Sequence, residues 1–146
     1  MAIESRPPPM IDDHGGAELV AIASDADVVR VRQVVRAIAA RAGLSLVDQT
    51  KLITAASELA RNTLVHGKGG AASVDLVDDG RRRGVQVCFV DEGPGIRDLD
   101  LALQDGWTSG TGLGLGLSGS RRLVDSFTID TEVDRGTTVR IVKWGR

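Results

Sequence analysis

The sequence predicts an α+β fold, a two-layer sandwich in which one mixed, mainly antiparallel sheet is covered on one face by about three helices. Two observations lead to this prediction. Segments with helical spacing of apolar residues occur as a pair, not in strict alternation with strands. The remaining strands fall into two hairpins, each with a turn rich in glycine and charge. A chain of 146 residues that is 42% hydrophobic can bury one such core.

Residues 1–17 are predicted to form a flexible tail, and residues 18–146 to form a single domain. The tail contains Pro7-Pro8-Pro9 and shows no apolar period. Three consecutive proline rings exclude a helix, and chain ends without apolar anchors are poorly ordered.

The domain begins with a predicted strand over Leu19–Ala23. Ser24 or Asp25 is then a suitable N-cap for an amphipathic helix that stops at Gly43. Its apolar stripe recurs at helical spacing and consists of Val28, Val31, Val34, Val35 and Ile38. Its arginines lie outside that stripe: Arg30, Arg32, Arg36 and Arg41.

A second helix is predicted to start after Asp48 and to end at Gly67. The later elements are a hairpin, a helix and another hairpin. Their predicted bounds are Ala72–Val77, Val85–Val90, Leu117–Ser126, Phe127–Val133 and Thr137–Trp144. The last two strands are joined by Asp134-Arg135-Gly136, which is typical of a tight turn.

Composition excludes several classes of function. With 18 basic and 20 acidic residues, the chain has no strong field that would attract nucleic acid. No apolar run reaches the roughly 18 residues that a membrane span needs, so a cytoplasmic protein without membrane contact is expected. Cys88 is the one cysteine, and its apolar neighbours predict a buried core position.

The first candidate site lies on the second helix, where Glu58 and Asn62 are four residues apart. This spacing puts both side chains on one face, one turn from each other. Their neighbours are small or apolar: Ala55, Ala56, Leu59 and Ala60. One amide oxygen, phosphate oxygens and waters form a shell that suits Mg²⁺, which leaves the carboxylate to act as a base. A solvated pair on a helix surface is the alternative.

The second candidate is Asp91-Glu92-Gly93-Pro94-Gly95, directly after a predicted strand. A carboxylate at a strand end can accept a hydrogen bond from an exocyclic amine such as that of adenine. Glycines on both sides of Pro94 allow a flat ring to approach the backbone. An ordinary strand-to-loop turn is the alternative interpretation.

The third candidate is the glycine-rich segment Ser109–Gly116, which leads into a predicted helix. Residues without a Cβ let successive N–H groups face an anion such as a triphosphate, and the helix adds its positive end. The segment lacks the Gly-Lys-Ser/Thr ending of a Walker A loop and does not follow a strand in a βαβ unit. A flexible linker would be polar, whereas Leu113, Leu115 and Leu117 alternate here.

In order and spacing, these three motifs resemble the N, G1 and G2 boxes of the GHKL superfamily of ATPases and kinases. Gly136-Thr137 is similar to the superfamily's closing Gly-Thr element. The resemblance covers about residues 18–144 and implies a Bergerat-type fold, ATP and Mg²⁺ as ligands, Glu58 as general base and Asn62 as the Mg²⁺ ligand. The nucleotide-binding residues that it implies are Asn62, Asp91, Gly93, Gly95, Ile96, Gly110, Thr111, Gly112, Leu113, Gly114, Leu115, Gly116 and Thr137.

Several segments are similar to RsbT-type serine kinases of bacterial stress signalling: 57–62, 91–96, 112–117 and the ending Val142-Lys143-Trp144. This resemblance implies a serine in a STAS-domain antagonist protein as the substrate, and a phosphatase that the released kinase binds and activates. It leaves the oligomeric state undefined.

The chain departs from the superfamily at one point. Anti-sigma kinases generally carry a basic lid residue that reaches the γ-phosphate, but positions 98–120 contain no Lys or Arg. Lys68, Arg121 or Arg122 would have to take this role, or no residue does.

Two alternative functions remain. The chain could be an anti-sigma factor that sequesters a sigma factor in a nucleotide-dependent way, with the arginine-bearing first helix as its partner surface. It could also be a catalytic fragment of a histidine kinase, but only the proline-rich tail precedes residue 18.

Overall fold

The computed structural model describes residues 2–4, 17–104 and 116–145. Helices and strands follow one another in the predicted order, with two additions. The strands are β1 (Ala2–Glu4), β2 (Glu18–Ile22), β3 (Gly70–Asp78), β4 (Arg83–Asp91), β5 (Ser126–Glu132) and β6 (Gly136–Trp144). The helices are α1 (Asp25–Arg41), α2 (Leu46–Val65), α3 (Leu99–Ala102) and α4 (Gly116–Leu123).

All the strands join one sheet in the order β1-β5-β6-β4-β3-β2. Every neighbouring pair is antiparallel. The predicted α+β sandwich is confirmed, and the sheet is antiparallel at each pairing rather than mixed. Both long hairpins, β3–β4 and β5–β6, turn within a few residues, which antiparallel pairing permits and parallel pairing does not.

The core lies between this sheet and helices α1 and α2. Alternate residues of β4, namely Val85, Val87 and Phe89, are buried against the helices. The helices contribute the buried residues Val31, Val35, Leu52, Ala56 and Leu59. Because α2 lies along the sheet, the face that carries Glu58 and Asn62 is held next to the strand ends.

Helix starts are set by serine caps. Ser24 caps α1, as predicted, together with Asp27, whose carboxylate accepts the N–H groups of Ala23 and Ser24. Helix α2 begins at Leu46, earlier than predicted, because the Ser45 hydroxyl accepts the N–H of Asp48 at 3.1 Å.

Two elements were not predicted. Strand β1 lies within the segment predicted as a tail and pairs with β5. The short helix α3 is capped by Asp98, which accepts the N–H of Leu101 at 3.0 Å. The third predicted helix also ends earlier, at Leu123, because β5 already begins at Ser126.

The prediction of a buried Cys88 is wrong, since its side chain is half-buried. The register pairs Cys88 with Ser73 and Arg140. Alternation along β4 therefore puts Cys88 on the sheet face away from the helices, opposite to Val87 and Phe89. Within the described ranges, no helix is long and apolar enough to cross a membrane.

The end of the sheet where α2 begins contains a buried ion cluster. Lys143 is 4% exposed, and its Nζ lies 3.7 Å from Asp48 Oδ1 and 3.6 Å from Asp125 Oδ1. The second oxygen of Asp125 accepts the backbone N–H of Trp144 at 2.7 Å. These contacts join the first turn of α2, the end of β6 and the link between α4 and β5.

Candidate functional site

A cavity of about 470 Å³ opens at the other end of α2. It lies between the second half of that helix, the segment after β4 and inward residues of β5 and β6. Seven predicted residues line it: Glu58, Asn62, Asp91, Gly95, Ile96, Gly116 and Thr137. The predicted Gly93 is not among the described lining residues. The fold thus brings the helix pair and the strand-end aspartate to one space, as the motif order predicts.

Glu58 and Asn62 are both half-buried in the cavity wall. The N–H of Gly116, the first residue of α4, donates to Glu58 Oε1 at 3.3 Å. Gly116 has a φ of +70°, which favours glycine at this position. The contact places the end of the third predicted motif beside the carboxylate of the first.

Of that third motif, Gly116 is the residue that the structure describes. Gly116 lines the cavity. The other predicted residues of the segment, Gly110, Thr111, Gly112, Leu113, Gly114 and Leu115, lie outside the described residues.

Asp91 is the last residue of β4 and stands opposite Thr137 in the register with β6. Its Oδ1 accepts the N–H of Gly93 at 2.9 Å. Glycines surround it closely: a Cβ at Gly67 would overlap the Asp91 carboxyl group, and one at Gly136 would overlap its backbone carbonyl. The carboxylate therefore occupies space that a larger residue at position 67 would take.

The segment after Asp91 is attached to the β5–β6 hairpin. Thr131 accepts the N–H of Ile96 at 2.9 Å, and Pro94 O accepts the N–H of Asp134 at 2.8 Å. Gly95, with a φ of +75°, packs on the carbonyl of Glu132, where a Cβ would not fit. This hairpin therefore shapes the cavity wall that carries Gly95 and Ile96.

Sequence reasoning missed Thr131, which is 3% exposed. It points inward like Ile129, two positions earlier on the same strand. A hydroxyl at an inward strand position, five residues before a glycine that ends the hairpin turn, is a signal that could have indicated it.

The basic residues that line the cavity differ from those that the sequence suggested. Arg61 and Arg97 line it, together with His66, whose backbone also caps α2. The three side chains considered for the missing basic lid residue, Lys68, Arg121 and Arg122, are not among the described lining residues. Arg61 is next to Asn62 in the sequence, on the helix that carries the predicted metal ligand.

The donor set suits a magnesium ion held together with a phosphate group. No group of three or more His, Cys, Asp or Glu side chains that could hold a metal occurs in the described part of the chain. The cavity does offer one amide oxygen on Asn62 and one carboxylate on Glu58. Mg²⁺ typically takes one or two protein oxygens and completes its shell with waters and phosphate oxygens, so these residues fit it.

The geometry of this cavity agrees with a comparison of the whole sequence. Residues 22–143 match the model of the histidine kinase-like ATPase domain. The chain belongs to the histidine kinase-like ATPase family. Membership in this family implies an ATP site, and the match includes both the helix with Asn62 and the strand pair with Asp91 and Thr137.

The chain is similar to relatives of two kinds. The chain is 37% identical over 127 residues to the serine/threonine-protein kinase RsbT of Bacillus subtilis (strain 168), covering 87% of this chain and 96% of that protein. It is 29% identical over 119 residues to an anti-sigma F factor of Thermoanaerobacter sp. (strain X514), covering 77% and 82%. An anti-sigma F factor of Geobacillus kaustophilus (strain HTA426) is 30% identical over 120 residues, covering 77% and 80%.

A solved structure shares the fold. The crystal structure of the RsbU and RsbW domains of a Mycobacterium tuberculosis protein superposes with a TM-score of 0.63 at 22% identity. The match covers 89% of this chain and 33% of that one. At this identity the likeness concerns the fold, and it confirms the predicted Bergerat-type architecture.

Proposed function

We propose that this histidine kinase-like ATPase domain is a protein-serine kinase that transfers the γ-phosphoryl group of ATP to a serine of a STAS-domain antagonist protein. The observation that carries the proposal is one cavity lined by Glu58, Asn62, Asp91 and Thr137. Similarity to RsbT over 96% of that protein's length supports a kinase of the same kind. The proposed setting is a cytoplasmic partner-switching module of stress signalling, in which the chain also binds and activates a phosphatase.

The adenine would occupy the end of the cavity at Asp91 and Thr137. The Asp91 carboxylate offers an acceptor to the exocyclic amine, and Gly95 lines the same cavity. Ile96, Leu117 and Val139 line the same cavity and supply apolar surface for the ring. A buried acceptor that meets an amine discriminates strongly against bases that lack it.

The phosphates would extend toward Glu58 and Asn62. The Asn62 amide oxygen would hold Mg²⁺, which when bound offsets the negative charge of the phosphate oxygens. Amides of the segment that ends at Gly116 would bind the same phosphates, with the positive end of α4 behind them. Arg61 and Arg97 contribute positive charge at the cavity wall, where the glycine-rich segment has none.

In the transfer step Glu58 would accept the proton of the substrate serine hydroxyl. The serine oxygen forms a bond to the γ-phosphorus while the bond from that phosphorus to the bridging β–γ oxygen breaks, and ADP leaves. A base placed in this way contributes about 10²- to 10⁴-fold to the rate. Glu58 is half-buried in the cavity and holds a backbone amide, so it is oriented before substrate binds.

A phosphorylation assay with Glu58→Gln tests this proposal. The full chain is incubated with labelled ATP, Mg²⁺ and STAS proteins of the same genome, and phosphoserine is located by mass spectrometry. We expect Glu58→Gln to lower the rate by at least about 10²-fold and to change ATP affinity by only a few-fold. The exposed Glu18→Gln, on β2, is the matched control and should behave like the wild type.

Full phosphorylation by Glu58→Gln would refute the role of this carboxylate. Absence of ATP binding by the wild-type chain in calorimetry would refute the proposed function as a whole.

A second candidate function is nucleotide-dependent sequestration of a sigma factor. It is supported by the similarity to the two anti-sigma F factors and by the exposed arginines on α1, Arg30, Arg32, Arg36 and Arg41. Co-purification of a sigma factor with the chain in ATP, without STAS or phosphatase proteins, would favour this function over the kinase in partner switching.

A further inference from the structure

The hydroxyl of Thr131 lies behind the cavity wall, where it contacts three groups of the described residues. It is 2.9 Å from the backbone N of Ile96, 2.9 Å from the hydroxyl of Thr137 and 3.3 Å from the carbonyl oxygen of Gly136. Two of these partners border the site: Ile96 and Thr137 line the cavity, whereas Thr131 does not. The buried threonine therefore connects the segment after β4 to the first residues of β6.

Two of the three partners can act in only one way, and the direction of the Thr131–Thr137 bond is assigned from them. A hydroxyl carries one hydrogen and two lone pairs. The amide of Ile96 can only donate, and the carbonyl of Gly136 can only accept. The Thr131 hydroxyl therefore accepts from Ile96, gives its single hydrogen to Gly136 and has one lone pair left for Thr137. The assignment that satisfies all three contacts makes Thr137 the donor to Thr131.

This direction determines what Thr137 offers to the cavity. A Thr137 hydroxyl whose hydrogen points back to Thr131 presents lone pairs to the cavity and no hydrogen. Directly across the strand pair, the Asp91 carboxylate also presents acceptor oxygens. This wall therefore accepts hydrogen bonds, which suits the 6-amino group of adenine and disfavours the 6-carbonyl of a hypoxanthine or guanine base.

We propose that Thr131 is a positioning residue that sets the preference for adenine over 6-oxopurines by holding Thr137 as an acceptor. The inference rests on the proposed function, in which Asp91 and Thr137 contact the adenine ring. Thr131 itself does not touch the nucleotide and acts through the Thr137 hydroxyl and the Ile96 amide.

Thr131→Val would remove the hydroxyl that holds both the Thr137 hydroxyl and the Ile96 amide. Valine matches threonine in shape but lacks the lone pairs and the hydrogen. The Thr137 hydrogen would then be free to turn into the cavity, where it would meet the 6-amino group unfavourably and a 6-carbonyl favourably. The Ile96 amide would lose its acceptor, which loosens the wall for every nucleotide.

The test measures the affinities for ATP and ITP in calorimetric titrations with Mg²⁺. The two nucleotides differ in the 6-substituent of the base. We expect Thr131→Val to weaken ATP binding by roughly 3- to 10-fold, and ITP binding by less or not at all. The ratio of the ATP affinity to the ITP affinity therefore falls. Thr131→Ser, which keeps the hydroxyl, should restore the wild-type ratio. Thr128→Val, on the same strand but outside the cavity lining, should leave the ratio unchanged.

A purely structural role would weaken the binding of ATP and of ITP by the same factor. An unchanged affinity ratio would therefore overturn the inference. If Thr131→Val does not fold, Thr131→Ala removes the same hydroxyl without adding a methyl group and is measured in its place. Asp91→Asn separates the two proposals, because it should lower ATP affinity if the base is bound as proposed. A wild-type chain that does not prefer ATP over ITP, or an unaffected Asp91→Asn, would point to failure of the proposed base site.

Discussion

Helix α2 begins at an end of the molecule that is closed by a buried ion cluster and finishes at an end that is open at the cavity. These are the closed end and the open end. The first turn of the helix meets Lys143 and Asp125 in the buried ion cluster. Its last turns line the cavity, where glycines at positions 67 and 136 keep side chains away from Asp91. The closed end is held by buried, paired charges, whereas the open end has glycines where its chain segments meet Asp91.

This difference indicates which contacts serve stability and which serve binding. Charges that are buried and paired hold elements together, since their desolvation is offset only when every partner is in place. Positions without side chains leave room for a ligand and let the backbone approach it. Changes at the closed end should therefore lower the stability of the chain without altering its specificity. Changes at the open end should alter nucleotide binding without lowering stability.

Loss of Lys143 has the largest expected effect. Lys143→Met would leave Asp48 and Asp125 without the buried cation that lies between them. Removing one partner of a buried ion cluster costs about 3–5 kcal/mol of unfolding free energy. Chemical denaturation would measure this loss, and ATP affinity of the remaining folded protein should stay within a few-fold of the wild type.

The control for this change is Lys51→Met on α2, where the lysine is exposed. Its unfolding free energy should stay within about 0.5 kcal/mol of the wild type. A Lys143→Met chain as stable as Lys51→Met would contradict the assigned role of the closed end.

A methyl group at Gly67 should act on binding. Gly67→Ala would place its Cβ on the Asp91 carboxyl group, so the aspartate must turn and lose its bond with the Gly93 amide. We expect ATP affinity to fall roughly 10-fold, the order of one or two lost hydrogen bonds. Fluorescence titration with an ATP analogue would measure it.

Gly80→Ala provides the comparison for this change. Gly80 lies in the β3–β4 turn with a φ of +88°, and no atom lies within 4 Å of the added Cβ. It should lower stability through backbone strain and leave nucleotide affinity unchanged. Equal loss of affinity in both variants would mean that Gly67 has no specific effect on Asp91.

The smallest effect concerns Asp75 on β3, which belongs to neither end. Burial raises the pKa of this carboxyl above its ordinary value of 3.8. The unfolded chain therefore ionises Asp75 at lower pH than the folded chain, so this residue lowers stability as pH rises above 3.8. Asp75→Asn should gain stability over the wild type, by under about 1 kcal/mol, between pH 3 and pH 7.

Thermal unfolding at a series of pH values measures this difference. An Asp75→Asn chain whose advantage does not grow with pH would contradict the pKa shift. ATP affinity should not change, since Asp75 does not line the cavity.

The sequence predicted the helices and strands because their signals were local or strongly periodic, whereas the meeting of the motifs was implied by their resemblance to the GHKL superfamily. Alternation in β4 and helical spacing in α1 follow directly from which face each residue buries. Ser24 and the Asp134–Gly136 turn carry their own hydrogen-bonding or backbone preferences. Glu58 and Asn62 share a helix face by spacing alone, so their position beside each other needed no tertiary information.

The rest depends on partners far apart in the sequence. The contact of Ile96 with Thr131 spans 35 residues, and the contact of Trp144 with Asp125 spans 19. The inward position of Thr131 could be read from the strand pattern, but the distant amide that it holds could not. The ion cluster around Lys143 is equally non-local. The cap on α3 and the pairing of β1 were missed because both segments are too short to show a period.

The fixed start of α2 has a consequence for its other end. A helix that is held at Asp48 and used near Asn62 must keep a fixed rotation between the two positions. With 3.6 residues per turn, one inserted residue between them would swing Glu58 and Asn62 by about 100° around the axis, away from the cavity. The stretch between Asp48 and Glu58 therefore tolerates exchanges of its exposed side chains but no change of length.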